Sequence, residues 1–523
     1  MGEVLDAVII GSGHNSLACA AHLAAKGWKV ALFERAPLPG GAVKSGEYTL
    51  PGFQHDWAAM NLSLFAGSAF HKKYMGELAS HGLEFIVAEE CFASVFKDGT
   101  WLGIGADAAR NLNRIAQENP QDAETWEAMN AEFPERAESL FALLGSSANK
   151  YAITSLIWKL WRRNGTNGLL DLGQFLTKSP RAWLEESFRS PRVQALLAAW
   201  GMHLDFAPDT AGGALFPYLE GQVNQAFGMV LGKGGASVLT RALTAMIEAR
   251  GGSITCGAEV TRILQQDGKA KGIELADGRR IMARQAVIAN VAPAALLRLT
   301  GGTEKPRYDK GLQNFRHAPG TMMLHLAMED LPDWRAGEEL KRFAYVHMAR
   351  SLDQMALTYA QAQAGLLPSE PVIVCGQPTA IDPCRAPAGK HILWLQVRMV
   401  PGQIRGDAAG KITATDWQNA AQPMAERALA ILECYAPGTG AKILAQHVVT
   451  PEMLEADNPN LVGGDQLCGS HHLSQNFMFR PLRGYADGRT PIKALYHTGA
   501  AVWPGAGTGA GAGFLLGQKL AGA

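Results

Sequence analysis

The first 34 residues constrain the fold more than any other stretch of this chain. Asp6-Ala7-Val8-Ile9-Ile10 is a short apolar run that ends in a glycine turn, the pattern of a buried parallel strand. The turn reads Gly11-Ser12-Gly13-His14-Asn15-Ser16. Behind it Leu17, Ala20, Ala21 and Leu23 recur at helical spacing, and Gly27 stops the helix. Val30-Ala31-Leu32-Phe33 then forms a second strand with Glu34 at its end. A dinucleotide uses each of these parts. Gly11 permits the tight turn, Gly13 lets the backbone approach a pyrophosphate, and the helix N-terminus offers free N–H groups. Glu34 lies 23 positions after Gly11, where a carboxylate can accept both hydroxyls of an adenosine ribose. Ser16 replaces the third glycine of the pattern and is small enough for close helix–strand packing. A glycine turn in another kind of α/β domain is the competing reading, and it leaves the rest of the pattern unexplained.

Arg35 follows Glu34, and after four intervening residues comes Gly40-Gly41-Ala42. In NAD enzymes the chain continues here into the next crossover. Taken alone, the two glycines could be an ordinary turn. Coupled to Glu34-Arg35, they resemble the flavoproteins related to glutathione reductase and the amine oxidases, in which they let the backbone pass beside FAD. The expected cofactor is therefore FAD rather than NAD.

Composition excludes several alternatives. Lys plus Arg and Asp plus Glu are both 48, so no basic excess invites nucleic acid. Charged residues make up 18%, below the roughly 25% of ordinary globular proteins, which suits a large apolar interior or cavity. The 7 cysteines form no Cys-x-x-Cys pair, against a redox disulfide or a zinc ribbon, and no other metal-ligand spacing occurs. Their odd number and the lack of a signal peptide lead us to expect a reducing, cytoplasmic setting. No apolar run reaches the ~18 residues of a membrane span, so any membrane contact is peripheral. Its candidate is 151–163, where Ile153, Leu156, Ile157, Leu160 and Trp161 share a helical face with Trp and Lys/Arg at its end. Such a helix lies in a membrane interface, or docks on the chain's own core or on a subunit partner, the commoner arrangement.

Along the chain, Glu47 to Asp56 alternates and gives way to Ala58-Ala59-Met60-Asn61, while 68–225 reads as mainly helical. A helix follows Gly232-Lys233-Gly234-Gly235-Ala236. Short strands are expected at Ser253–Cys256, Val260–Leu264, Ala270–Leu275 and Arg280–Ala283, with Asp267-Gly268 and Asp277-Gly278 as hairpin turns. Ala286 to Asn290 is then a buried strand ending in a polar residue. Strands at Thr321–Met328, Pro371–Cys375 and His391–Val397, with a long helix near 416–435, suit a sheet-based substrate domain. Finally, Ala494 to Gly499 is a strand that runs through the glycine-rich 500–513 into an apolar helix containing Phe514, Leu515, Leu516 and Leu520. This predicts a second helix N-terminus aimed at the cofactor.

With both ends in hand, the chain resembles the phytoene desaturase-like branch of the FAD-dependent amine oxidase superfamily, closest to its pyridine nucleotide-disulfide oxidoreductase domain-containing proteins. Besides the N-terminal pattern, the resemblance rests on Phe53-Gln-His-Asp56, Gly234-Gly235, Val260, Asp382-Pro383 with Pro387, Gly389 and Lys390, Gly463-Gly464, Arg480-Pro481, and Gly499 with Pro504-Gly505. It implies an α/β chain in which a Rossmann-type, glutathione reductase-like FAD-binding domain (1–67, 226–305 and 485–523) interleaves with a mixed sheet-plus-helix substrate domain (68–225 and 306–484). By position, Gly11, Gly13, His14, Asn15, Glu34, Arg35, Gly40, Gly41 and Ala42 hold the adenosine and pyrophosphate. Ala58, Ala59, Met60 and Asn61 pass the flavin, and Val260 meets the adenine through its backbone. Asn290, the polar end of its strand, is a further cofactor-binding candidate, and Gly499, Trp503, Pro504 and Gly505 meet the flavin end. Ala42 replaces a basic residue common in the family, and Ala501-Val502-Trp503 is bulkier than the family's polar pair.

The resemblance further implies an apolar tunnel and a FAD-dependent oxidoreductase that desaturates or saturates a carotenoid-, isoprenoid- or lipid-like substrate by hydride transfer at flavin N5. The electron acceptor is a quinone or oxygen, and association with a second copy of the chain stays open. An amine or amino-acid oxidase is the alternative; a flavin-dependent isomerase or a non-catalytic FAD-binding interaction protein is the third. Candidate acids and bases are His471 and His472, which lie between two family-matching segments, and His55. Asp56, His203 with Asp205, Arg398 and His497 are weaker candidates.

Overall fold

The computed structural model describes residues 4–147 and 149–523. Its first sheet is built on the opening strand Leu5–Ile10, which pairs in parallel with Val30–Phe33 on one side and with Arg280–Ala289 on the other. Ser253–Thr255 extends the sheet beyond Val30–Phe33, and Leu495–His497 adds in parallel to Arg280–Ala289. The strands at 280–283 and 286–290 expected from sequence are one continuous strand. Its first half pairs antiparallel with Lys269–Leu275, and its second half enters the parallel sheet. Polar Arg284 and Gln285 break the apolar pattern there because both reach the carboxylate of Asp6. Helices His14–Ala25, Ser237–Glu248 and Gly511–Ala521 cover one face, with Leu17, Leu239 and Phe514 in the same core as Ile9, Leu32 and Ile288.

The second sheet runs in the order Ile443–Val449, Gly320–Met328, His391–Val400, Val372–Gly376, Tyr345–Met348, Glu90–Val95 and Trp101–Gly105. The last two strands lie inside the stretch read as mainly helical. Cys91-Phe92-Ala93-Ser94-Val95 is too short and alanine-containing a run for periodicity to separate strand from helix. The segment Glu47–Asp56 likewise forms only a two-residue ladder, Ser45–Gly46 with His55–Asp56. One face of the second sheet is apolar: Leu324, Val346, Ile373 and Leu395 pack with Met424, Ala428 and Leu432 of helix Trp417–Tyr435. The opposite face is buried as well, yet it carries His325, His347, Gln396 and Arg398.

Three segments meet at Arg385, whose side chain is fully buried. Its Nη1 donates to Asp56 at 2.5 Å, its Nε to Asp382 at 3.0 Å and its Nη2 to the Gly232 carbonyl at 2.6 Å. Asp56 also accepts from Ala236 N (2.6 Å), and Asp382 from Gly234 N (2.7 Å). The glycine turn ahead of helix Ser237–Glu248 is thereby tied to both the 45–56 segment and the second sheet's neighbourhood.

Helix Lys150–Thr177 contrasts with this packing. Gly165 has φ 67° and ψ −174°, which splits it into two. Of its described residues only Leu160 is buried, while Tyr151, Ile157, Trp158, Trp161 and Leu170 are exposed. Of the face formed by Ile153, Leu156, Ile157, Leu160 and Trp161, Leu160 is buried, Ile153 and Leu156 are half-buried, and Ile157 and Trp161 are exposed. Among the described residues no helix is long and apolar enough to cross a membrane.

Replacing Arg385 by Met strands two buried carboxylates, and urea denaturation should show a loss of about 3–5 kcal/mol. A change under 1 kcal/mol would mean that the network is not formed.

Candidate functional site

The nucleotide turn is held from both sides. Gly11 has φ 82°, and a Cβ there would lie 3.2 Å from the Asn290 carbonyl. Gly13 caps helix His14–Ala25 with no side chain accepting from the first N–H groups and no acid in the first turn. Those donors remain for an anion. Glu34 is buried beside the turn: its carboxylate accepts from Ser12 N (2.7 Å), Ser12 Oγ (3.0 Å) and Ala36 N (2.9 Å). Gly40 N donates to the Ser12 carbonyl, and a Cβ on Gly41 would lie 3.2 Å from Gly13 Cα. The double glycine thus lies directly against the turn. Arg35 instead points outward, donating to the Ala456 carbonyl at 3.1 Å, and Ala42 is half-buried. Val260 opens an edge strand two residues past Ala258, whose N–H donates to the Glu34 carbonyl at 2.8 Å.

The far end of the chain completes this corner. Helix Gly511–Ala521 also begins without a side-chain cap and without an acid in its first turn. Gly513 N donates to Asn15 Oδ1 at 3.2 Å, and a Cβ on Gly513 would fall 1.8 Å from the Asn15 carbonyl. His14 Nε2 meets the Gly507 carbonyl at 3.1 Å. Asn290 donates to Ser16 Oγ at 2.9 Å, and at Gly499 a Cβ would come within 1.9 Å of its Oδ1. The N-termini of these two helices therefore meet at Asn15, and the first of them follows the turn that holds Glu34. Trp503 is buried, stacked on Phe477 with ring centroids 4.6 Å apart, and donates to the Ser146 carbonyl. Pro504 and Gly505 follow in the loop that His471 supports.

Ala58, Ala59, Met60 and Asn61 run between that loop and the polar face of the second sheet. Thr508 Oγ1 donates to the Asn61 carbonyl (3.3 Å), Gln396 Nε2 to the Ala58 carbonyl (3.3 Å), and the Met60 sulfur packs by Gly376.

The three candidate histidines fall in three different places. His471 is buried, and its Nε2 accepts from Ala506 N at 3.1 Å; burial and the nearby Arg480 charge keep it neutral, well below the usual histidine pKa. His472 turns the other way, with Nε2 3.0 Å from the Asp205 carbonyl and 3.1 Å from the Tyr359 hydroxyl. Only His471 touches the glycine loop. His55 bonds Thr49 at 2.8 Å and stands in a ring cluster with His325 and Tyr48, its pKa pushed down to about 3 by burial and then by His447 and Arg385. His497 is spent on the Val291 carbonyl (2.7 Å), and His203 faces His347 with their Nε2 atoms 3.1 Å apart.

Sequence reasoning named Arg398 and His203 but missed Tyr345, His347, Trp394 and Gln396 beside them. The signal was the alternation in Trp394-Leu-Gln396-Val-Arg398 and Tyr345-Val-His347, which puts every second residue on one face. Tyr345 stacks on Trp394 with centroids 5.7 Å apart, and Trp200 lies 5.5 Å from His347.

A family model for NAD(P)-binding Rossmann-like domains matches residues 9–78. The chain is 26% identical to mouse pyridine nucleotide-disulfide oxidoreductase domain-containing protein 2, over 97% of this chain and 92% of that protein. It is 24% identical to the neurosporene-forming phytoene desaturase of Cereibacter sphaeroides, over 96% and 91% respectively. A solved triple mutant of putrescine oxidase superposes with a TM-score of 0.61 at 15% identity, covering 99% of this chain and 98% of that one. The chain is thus similar along its whole length to phytoene desaturases and to pyridine nucleotide-disulfide oxidoreductase domain-containing proteins. Its fold is the mixed α/β, Rossmann-containing one of putrescine oxidase.

Two outcomes test this geometry. Gly513→Ala should force apart the two helix N-termini, lowering stability by about 1–3 kcal/mol and dinucleotide affinity with it; calorimetry and a binding titration measure both. The buried His55, His325, His347, His471 and His497 all have folded pKa values below 6.5. Below that pH the unfolded chain binds more protons than the folded one, so stability should fall as pH drops from 7 to 5. Each contributes at most roughly 1.4 kcal/mol per pH unit. Urea midpoints that do not move across this window would mean these histidines are not held neutral.

Proposed function

We propose that the chain is a FAD-dependent oxidoreductase acting on a hydrophobic, isoprenoid- or lipid-like substrate, which it desaturates or saturates. The observation that carries this reading is the meeting of two helix N-termini at Asn15, behind a glycine turn that holds a buried, oriented Glu34. The donor set fits FAD. The N–H groups after Gly13 and around Gly511 face a pyrophosphate, Glu34 a ribose, and the backbone of Gly40 and Gly41 the chain between the two halves. FAD, when bound, supplies a two-electron acceptor or donor for a C–H bond. The protein's own part is to position and to exclude water. Ala58 to Asn61 and the Trp503–Gly505 loop form the walls, and the buried face of the second sheet closes the space opposite. His471, neutral and accepting from Ala506, positions the loop; its Nε2 is not free to take a proton. The full-length likeness to phytoene desaturases supports an apolar substrate, and a quinone or oxygen would receive the electrons.

The putrescine oxidase fold favours a second reading, an amine oxidase. The reduced protein, exposed to air after anaerobic reduction, separates the two: absorbance recovering within seconds belongs to an oxidase, slow recovery to the desaturase-like enzyme. Glu34→Ala should lower FAD occupancy at least about tenfold, since charge-assisted bonds to a ribose are worth roughly 1.5–3 kcal/mol. Unchanged occupancy, or a protein that cannot be loaded with FAD, overturns the proposal.

The exposed Tyr151, Ile157, Trp158 and Trp161, flanked by Lys159 and Arg162, support a peripheral contact of 151–163 with an anionic membrane surface. Trp158→Glu together with Trp161→Glu should abolish co-sedimentation with phosphatidylglycerol vesicles. Equal co-sedimentation of the variant would remove the contact.

A further inference from the structure

Three arginines have almost no exposed surface, and their surroundings differ. Arg385 is paired with two carboxylates. Arg480 has no carboxylate bond, but every guanidinium nitrogen is used: Nε and Nη2 donate to the Ala500 carbonyl and Nη1 to that of Ser470. Arg398 has neither kind of compensation. Its Nη2 donates to the Met202 (3.1 Å) and His203 (2.7 Å) carbonyls, and its Nη1 lies at 3.3 and 3.4 Å from Thr321 and Gln466, while its Nε has no partner.

Capping the C-terminal end of helix Pro191–Met202 accounts for Nη2 and for nothing else. The nearby carboxylate, Asp465, is already committed to the N–H groups of Ala318, Leu467 and Gly469. Burial accordingly depresses the pKa of Arg398 to about 10, against the weaker upward pull of Asp465, Tyr345 and Asp205.

Arg398 does not stand alone. Trp200 Nε1, Trp394 Nε1 and His347 Nδ1 are also buried without partners, and all three side chains are at most 4% exposed. Trp394 and His347 share the polar face with Gln396, whose amide holds the Ala58 carbonyl, and Trp200 packs on it from helix Pro191–Met202. Unpaired buried donors beside a buried cation ask for an acceptor that carries negative charge. Since the aromatic rings of Tyr345, Trp394 and Trp200 surround them, the rest of the ligand meets apolar surface.

We infer that the substrate ends in a carboxylate-class anion seated against Arg398, with its apolar body lying along the aromatic face toward Ala58–Asn61. This rests on the reading of that segment as the wall of the redox site. It narrows the substrate from a hydrocarbon to an amphipathic acid. Arg398 is then the residue that discriminates acid from neutral lipid and fixes which carbon is presented.

Decanoate, decanol and decylamine serve as probes, titrated into the purified full-length protein and followed by the fluorescence of its tryptophans, two of which line the face. Decanoate should bind at least about tenfold more tightly than decanol, and decylamine most weakly. Arg398→Gln should abolish that preference and leave decanol unchanged, while Arg398→Lys should retain part of it. Equal binding of decanoate and decanol by the unaltered protein overturns the inference even if the Gln variant fails to fold. So does a decanoate preference that survives in a folded Arg398→Gln. FAD loading is read separately by visible absorbance. A protein that takes FAD without discriminating decanoate loses only this inference; one that discriminates decanoate but cannot take FAD loses the oxidoreductase reading.

Discussion

The buried guanidinium of Arg385 is the constraint on which both halves of the molecule depend. Bringing a cation and two carboxylates out of water is costly, and it is offset only where the geometry satisfies every remaining donor and acceptor. Here the remaining valences are met by the backbone: the N–H groups of Gly234 and Ala236 complete the carboxylates, and the Gly232 carbonyl completes the arginine. The network therefore fixes a turn rather than merely joining side chains. Because that turn launches helix Ser237–Glu248 against the nucleotide sheet, the second sheet and the Rossmann unit are held in one register.

This relation explains why the second sheet can bury two faces of opposite character. Its apolar face needs only helix Trp417–Tyr435 to cover it. Its polar face needs hydrogen-bonding company, and finds it in Ala58–Asn61 and in the end of helix Pro191–Met202. A buried polar face is a poor way to gain stability.

Much of this was legible in the sequence, and the reasons are physical. The nucleotide turn could be read because each of its residues answers a local demand: a positive φ at Gly11, close approach at Gly13 and Gly41, a carboxylate at Glu34. The C-terminal glycine loop was legible because a strand precedes it and an apolar helix follows. What escaped was non-local. Nothing near Tyr345, Trp394 or Gln396 reveals that two strands far apart in sequence will align them on one surface. His471 and His472 are neighbours along the chain, yet extended backbone sends them to opposite sides. Helix Lys150–Thr177 stayed open for another reason, since an apolar face promises burial but does not say against what.

The contact between Asn15 and Gly513 spans 498 positions of sequence. A ribosome adding about 5–20 residues per second exposes the first half of the nucleotide corner for about 25–100 s before the second half exists. For about the first half of that interval Arg280–Ala289, the neighbour of Leu5–Ile10, does not yet exist, and for most of the rest it lacks Leu495–His497 along its other edge. Closure of the corner thus waits on a segment made long after the turn that it completes.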